Sequence, residues 1–171
     1  MEHILIRNTE PSDFAAIIDL NASEVQHTSP MDEHRLGALH TLSAYHRVAT
    51  VDGVVAAFLL AMQDHASYRN DNFEWFASRY ERFLYVDRIV VSSAFQGRKL
   101  GSLLYNNLFA FARNEGIPLI TCEFNIVPPN EPSRIFHDKF GFEELGTQWL
   151  DEGTKQVSLR AATVKALAFE K

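Results

Sequence analysis

The stretch Gln96-Gly97-Arg98-Lys99-Leu100-Gly101 stands between a segment that reads as a strand, Phe83 to Val91, and a helix-forming run that opens at Leu100. Backbone N–H groups at a helix start lack intrahelical acceptors and the helix dipole is positive there, so this segment should bind an anion. Gly97 lets the chain approach a ligand without a Cβ, and Gly101 lets the helix sit tight against a ligand or strand. Arg98 and Lys99 add two positive charges, which makes a diphosphate the natural guest. No Gly-Lys-Ser/Thr closes the segment and the three-glycine dinucleotide spacing is missing, so neither of those phosphate loops is present. Two glycines before a helix also occur for purely structural reasons, and the flanking sequence has to decide between the two readings.

Downstream, Leu100, Leu103, Leu104, Leu108, Phe111 and Ala112 form one buried helical stripe, and Gly116 followed by Pro118 stops the helix. Leu119 to Phe124 reads as a strand, so the loop lies inside a βαβ unit whose two strands should be parallel. Upstream, His3 to Arg7 reads as an opening strand. A helix follows, with Thr9 as N-cap, Pro11 in its first turn, and Phe14, Ile17, Ile18, Ala22 and Val25 along one face. Asn21 to Thr41 reads as a loop leading into a second, shorter helix around Glu33 to Leu42. Tyr45 to Val51 and Val54 to Met62 flank Asp52-Gly53, the strongest short-range hairpin signal, because both turn residues tolerate positive φ.

From Gln63 to Arg82 the chain is polar and aromatic together, with Tyr68, Phe73, Trp75, Phe76 and Tyr80. Two readings stay open for this segment: a functional lid or partner surface, or rings packed on the body of the protein. After Pro128-Pro129 a short helix from about Glu131 to Phe140 ends at Gly141. Phe142 to Leu150 and Gln156 to Leu159 then pair around Asp151-Glu152-Gly153. No internal repeat or second composition regime appears, so residues 1–171 read as a single domain.

Composition narrows the function. The 171 residues are 46% hydrophobic and 22% charged, enough to build a core and far from a disordered composition. A formal net charge of −6 argues against a nucleic-acid partner, whose phosphates demand a basic excess. The longest apolar run, Val54 to Met62, is well short of the roughly 20 residues of a membrane span, and no secretory signal opens the chain. A cytoplasmic location is expected, without membrane or nucleic acid as partner. The lone Cys122 excludes an internal disulfide. The histidines, His3, His27, His34, His40, His46, His65 and His137, show no zinc-hydrolase spacing, so no metal is expected.

Two motifs carry a family resemblance. Gln96 to Gly101, with Ile89 and Val91 upstream, resembles the pyrophosphate loop of the GNAT superfamily of N-acetyltransferases, departing from it at Lys99, where the family usually has Gly. Asn130-Glu131-Pro132-Ser133, followed by His137 and Gly141-Phe142, resembles the family's closing signature, with His137 where a Tyr usually stands. The resemblance covers nearly the whole chain. It implies an α/β (α+β) fold: a central twisted, mixed, mostly antiparallel sheet of about six to seven strands, flanked by about four helices and splayed at the cofactor site.

It also implies acetyl-CoA as co-substrate. Backbone groups of Ile89, Val90 and Val91 would pair with the pantetheine arm, and amides of Gln96, Gly97, Arg98, Lys99, Leu100, Gly101 and Ser102 would cradle the pyrophosphate. Asn130 and Ser133 would hold the arm, while Arg98, Lys99, Arg134 and Lys139 are candidates for the outer phosphates or ordinary surface charges. The implied reaction is direct attack of a primary amine of a small acceptor on the thioester, and homodimers are common in the superfamily.

Asp87 is the first choice of base, because it shares strand parity with Ile89 and Val91 and the family often carries an acid at this offset. Glu123 on the neighbouring strand is its rival, and for both the alternative is a structural carboxylate paired with Arg88 or another cation. A carboxylate with a pKa near about 4 cannot efficiently strip an amine of pKa about 10, so a water relay or a raised pKa is needed. The resemblance further implies that a backbone N–H near Val91 would stabilise the oxyanion. His137 would donate a proton to the departing thiolate or serve as a cofactor contact. Neither Ser102 nor Cys122 has the surroundings of a covalent nucleophile. The competing function is a non-catalytic acyl-CoA-binding sensor or assembly module with the same fold.

Overall fold

The computed structural model describes residues 1–23 and 28–166. The fold is mixed α/β, and its strands hydrogen-bond in the order β1-β2-β3-β4-β5-β7-β6. The seven strands among the described residues meet the expectation. The α-helices among the described residues number five rather than about four, because the aromatic segment holds a helix of its own. Val25 and His27 lie outside the described residues. The chain clusters into two compact units, Met1–Met62 with Asp87–Leu108, and Gln63–Val86 with the residues after Leu108.

In the first unit, β1 (Ile4–Asn8), β2 (Tyr45–Val51) and β3 (Val54–Gln63, to Met62) form an antiparallel ladder. Asp52 at φ 49° and Gly53 at φ 83° close the β2–β3 hairpin, as a two-residue turn of this twist requires. The helices α1 (Phe14–Ser23) and α2 (Glu33–Leu42) bury Ile17, Leu36 and Leu39, and the strands bury Val48, Phe58 and Leu60. Ahead of α1, the Arg7 guanidinium forks onto Asp13 at 2.7 and 2.9 Å, and this hydrogen bonding holds the Asp13 carboxyl below its ordinary pKa. Asp32 caps α2 by accepting from the Arg35 N–H at 2.7 Å. The end of β4 (Leu84–Val91) and the start of α4 (Leu100–Asn114) complete this unit.

In the second unit, the start of β4 pairs in parallel with β5 (Leu119–Val127), as the βαβ reading requires. β5 pairs antiparallel with β7 (Lys155–Thr163), which pairs antiparallel with β6 (Glu143–Leu150). β5 and β7 both outrun their predicted lengths. Asn125 and Val127 find partners in Val157 and Gln156, and cross-strand pairing carries the ladder past the apolar run.

The segment Gln63–Arg82 forms α3 (Asp71–Ala77), capped by the Asn70 side chain accepting from the Asn72 and Phe73 N–H groups. Tyr68, Phe73 and Phe76 are buried with Phe83 and Tyr85, so these rings pack on the body of the unit. Trp75 lies against Gly146 of β6 so closely that a Cβ there would stand 2.7 Å from the indole. The short α5 (Glu131–Lys139) follows β5.

His46 on β2 is a buried polar group whose state affects stability. Its Nδ1 lies 2.8 Å from Nδ1 of His40, and its Nε2 is buried without a hydrogen-bond partner. Burial first, and His40 second, hold the imidazole down to about 3, against 6.5 for an ordinary histidine, with Asp13 opposing weakly. The folded protein keeps it neutral where the unfolded chain takes a proton. The resulting stabilisation is complete above 6.5 and is lost as pH falls from there toward about 3. His46→Phe should therefore lose less stability than the parent between pH 7 and about 4.5, read from urea midpoints across that range. Parallel pH profiles for the two proteins would show that His46 carries none of this dependence.

Candidate functional site

The first unit brings together Asp87, Ile89, Val90, Val91 and the segment Gln96 to Ser102. Arg88 and Val90 are buried while Ile89 and Val91 are half-buried, the alternation a strand imposes. The strand end is tied to β3 by the Ser92 N–H on the Ala56 carbonyl at 2.8 Å, and Ser92 then caps a 3-10 turn over Ser93–Phe95.

Beyond it, Gly97 takes φ 83° and Lys99 takes φ 56°, so the chain enters the left-handed region twice in three residues. Such a turn points successive N–H groups toward one side. The first intrahelical bond of α4 runs from the Leu103 N–H to the Lys99 carbonyl at 3.0 Å, which leaves the N–H groups of Leu100, Gly101 and Ser102 without acceptors inside the helix. Backbone N–H groups left without helical acceptors at a helix start are the kind of donors that an anion can engage.

Arg98 stands inside that segment but is turned onto Glu2. Its Nε and Nη2 donate to the two carboxylate oxygens at 2.7 to 3.0 Å, and its guanidinium lies 5.2 Å from the centre of the Phe95 ring. The hydrogen bond lowers the Glu2 pKa. Lys99 is exposed and Leu100 is buried beneath the loop.

Asp87 has a guanidinium for a partner. The Arg88 Nε donates to its Oδ2 at 2.7 Å, with both side chains about 5% exposed or less. The Arg88 Nη1 also donates to the Asn21 Oδ1 and to the Ser29 carbonyl, each at 3.0 Å, and Asn21 Nδ2 donates to the same carbonyl at 2.9 Å. The pairing weighed for Asp87 as an alternative to catalysis is present, extended into a clasp on the last turn of α1 and the chain beyond it.

The second unit brings together Glu123, Asn130, Ser133 and His137, together with a residue the sequence reading passed over. The Tyr85 hydroxyl donates to Glu123 Oε2 at 2.7 Å. A signal for it existed: Tyr85 shares parity with Asp87 on a strand expected to run parallel to the one bearing Glu123. Asn130 caps α5, its Oδ1 accepting from the Ser133 N–H at 3.3 Å. His137 is 4% exposed and stacks on Phe124 with centroids 5.5 Å apart.

The His137 Nδ1 lies 2.7 Å from the Ser133 carbonyl oxygen. A carbonyl can only accept, so Nδ1 carries the proton. Burial lowers the pKa of this imidazole, and the neutral ring therefore has no proton on Nε2. Arg134 is engaged by Glu131 at 2.7 Å and Asp138 at 3.0 Å, while Lys139 is exposed.

Burial first, and Glu123 second, push the Cys122 thiol well above its ordinary value, which leaves it protonated and a poor nucleophile. Among the described residues no three or more His, Cys, Asp or Glu side chains gather as metal ligands, and no helix is long and apolar enough to cross a membrane.

The model of the acetyltransferase (GNAT) family matches residues 12–142. Ard1 from Thermoplasma volcanium superposes with a TM-score of 0.77 at 16% identity, covering 95% of this chain and 98% of that one. The ribosomal-protein-S18-alanine N-acetyltransferase from Escherichia coli gives 0.73 at 16% identity, covering 98% and 97%. The yncA protein from Salmonella typhimurium, determined with its cofactor acetyl-CoA, gives 0.72 at 21% identity, covering 99% and 98%. A comparison with curated proteins finds no match.

Lys99 bears a backbone cost at its φ of 56°, where a Cβ crowds the following carbonyl. Lys99→Gly should raise stability by about 1 kcal/mol, read as a higher urea midpoint with an unchanged slope. A midpoint that stays or falls would show that the turn carries no strain there.

Proposed function

The chain belongs to the acetyltransferase (GNAT) family, and from that premise we propose that residues 1–171 form one domain that acetylates a primary amine of a small acceptor. Acetyl-CoA as co-substrate supplies an activated acyl carbonyl with a thiolate leaving group. The observation that carries the reading is the doubly left-handed turn at Gly97 and Lys99 opening onto the free N–H groups of α4. To that turn and to Gln96–Ser102 we assign the pyrophosphate. The backbone of Ile89, Val90 and Val91, with Asn130 and Ser133, is assigned to the pantetheine arm.

Within the chain, Glu123 takes the acceptor's proton by way of water. Asp87 is the rival, but its carboxylate answers a buried guanidinium that can neither take up nor pass a proton. A backbone N–H near Val91 steadies the oxyanion. His137 is assigned to holding the first turns of α5 in place, because its one ring proton is committed to the Ser133 carbonyl. A thiolate is a good enough leaving group to depart without it. The protonated, buried Cys122 supports direct attack over an acyl-enzyme.

A protein α-amine is the second acceptor class to test, since the S18-alanine enzyme named above acts on one by its description. The test is thiol release from acetyl-CoA over amino acids, polyamines, aminoglycosides and short peptides, beside calorimetric binding of coenzyme A. Turnover on one class is expected, with Glu123→Gln lowering kcat by about 10²-fold or more and leaving coenzyme A affinity unchanged. Binding without turnover would move the protein to the acyl-CoA sensor reading. No binding at all would overturn the assignment of Gln96–Ser102.

A further inference from the structure

We infer that Tyr85 is a positioning residue for acetyl transfer, its hydroxyl fixing the Glu123 carboxylate in the orientation from which it receives the acceptor's proton. The inference rests on the reading of the chain as an N-acetyltransferase with Glu123 as proton acceptor. At 2.7 Å the contact is a short, charge-assisted hydrogen bond. A glutamate with three rotatable torsions on a half-buried strand position gains a defined orientation from it.

The donor itself cannot wander. Tyr85 is 0% exposed, and its ring meets Phe73 at 5.7 Å, Phe76 at 6.0 Å and Tyr68 at 6.4 Å between centroids. The aromatic segment Gln63–Arg82, which supplies three of these rings, thus acts on the site by clamping a tyrosine.

Register completes the placement. Tyr85 pairs with Thr121 across the parallel β4–β5 ladder, and Glu123 follows two residues later on the same face of β5. Thr121 buries its own hydroxyl without a hydrogen-bond partner, so the face bearing Glu123 carries a second polar oxygen suited to a polar guest. A buried tyrosine hydroxyl needs some acceptor, and a backbone carbonyl would serve a purely structural need. Its engagement with a half-buried carboxylate on the next strand is what points to the reaction. A phenol can also accept as well as donate, so a proton reaching Glu123 is not trapped there.

The test is a mutant cycle on kcat with Tyr85→Phe, Glu123→Gln and the double variant, each against the best acceptor of the panel. Tyr85→Phe removes one oxygen and keeps the packed ring. It should lower kcat about tenfold or more with an unchanged KM for acetyl-CoA, and the double variant should be no slower than Glu123→Gln alone. Full kcat in Tyr85→Phe, or equal losses that multiply in the double variant, would overturn the inference while the enzyme reading stands. A parent protein that acetylates no amine would overturn that reading and this inference with it. Should Tyr85→Phe fail to fold, Glu123→Asp draws the carboxylate one methylene away from the hydroxyl with the ring untouched. A retained parental kcat there would equally overturn the role.

Discussion

Two parallel register pairs, Leu84 with Ile120 and Tyr85 with Thr121, fix how β4 and β5 present their side chains to each other. They set the face of β5 on which Glu123 lies and bring the Tyr85 hydroxyl within 2.7 Å of it. Along the chain the same strand continues through Asp87, Ile89 and Val91. A shift of one residue in that register would move Glu123 to the opposite face of the strand and dissolve the contact. The aromatic helix α3 matters for the same reason. Phe73 and Phe76 seat the Tyr85 ring, so packing energy in the core is converted into a fixed oxygen position at the site.

The two carboxylates differ in what their partners allow. Asp87 and Arg88 form a buried pair that also grips Asn21 and Ser29. Breaking such a pair from one side costs about 3 to 5 kcal/mol, because the remaining charge stays buried. Asp87 therefore supports the fold around α1, and loss of activity on its replacement would not by itself identify a base. Glu123 accepts from the neutral Tyr85 hydroxyl at 2.7 Å. The distinction lies in the partner atom, and the strand parity that marked both residues in the sequence is blind to it.

What the sequence disclosed and what it hid divide along contact range. Asp52-Gly53 was readable as a hairpin because its geometry is a property of two adjacent residues, both of which take positive φ. The turn before α4 and α4 itself were readable for a similar reason, since helix starts and apolar stripes are local. The rings of Gln63–Arg82 left two readings open, because only the packing of Tyr68, Phe73 and Phe76 against Phe83 and Tyr85 separates a lid from a core. Arg98 looked available for phosphate, yet its partner Glu2 lies 96 residues away in the chain. His137 could be placed opposite a usual tyrosine, but the Ser133 carbonyl that accepts its Nδ1–H is visible only once α5 is built.

Lys99 breaks three local preferences at once, and their coincidence bears on function. Its φ of 56° is a conformation that glycine adopts freely and lysine does not. It directly precedes α4, where a residue with a side-chain acceptor would satisfy an unpaired N–H group. It also puts a cation at the positive end of the helix dipole, where an anion is favoured. A bound diphosphate would reverse the sign of the second and third, because it would supply the missing acceptors and turn the lysine from a repelled charge into an attracted one. Local rules that fail together at one position, while the surrounding strand and helix obey them, are what the proposed pyrophosphate assignment of this turn would account for.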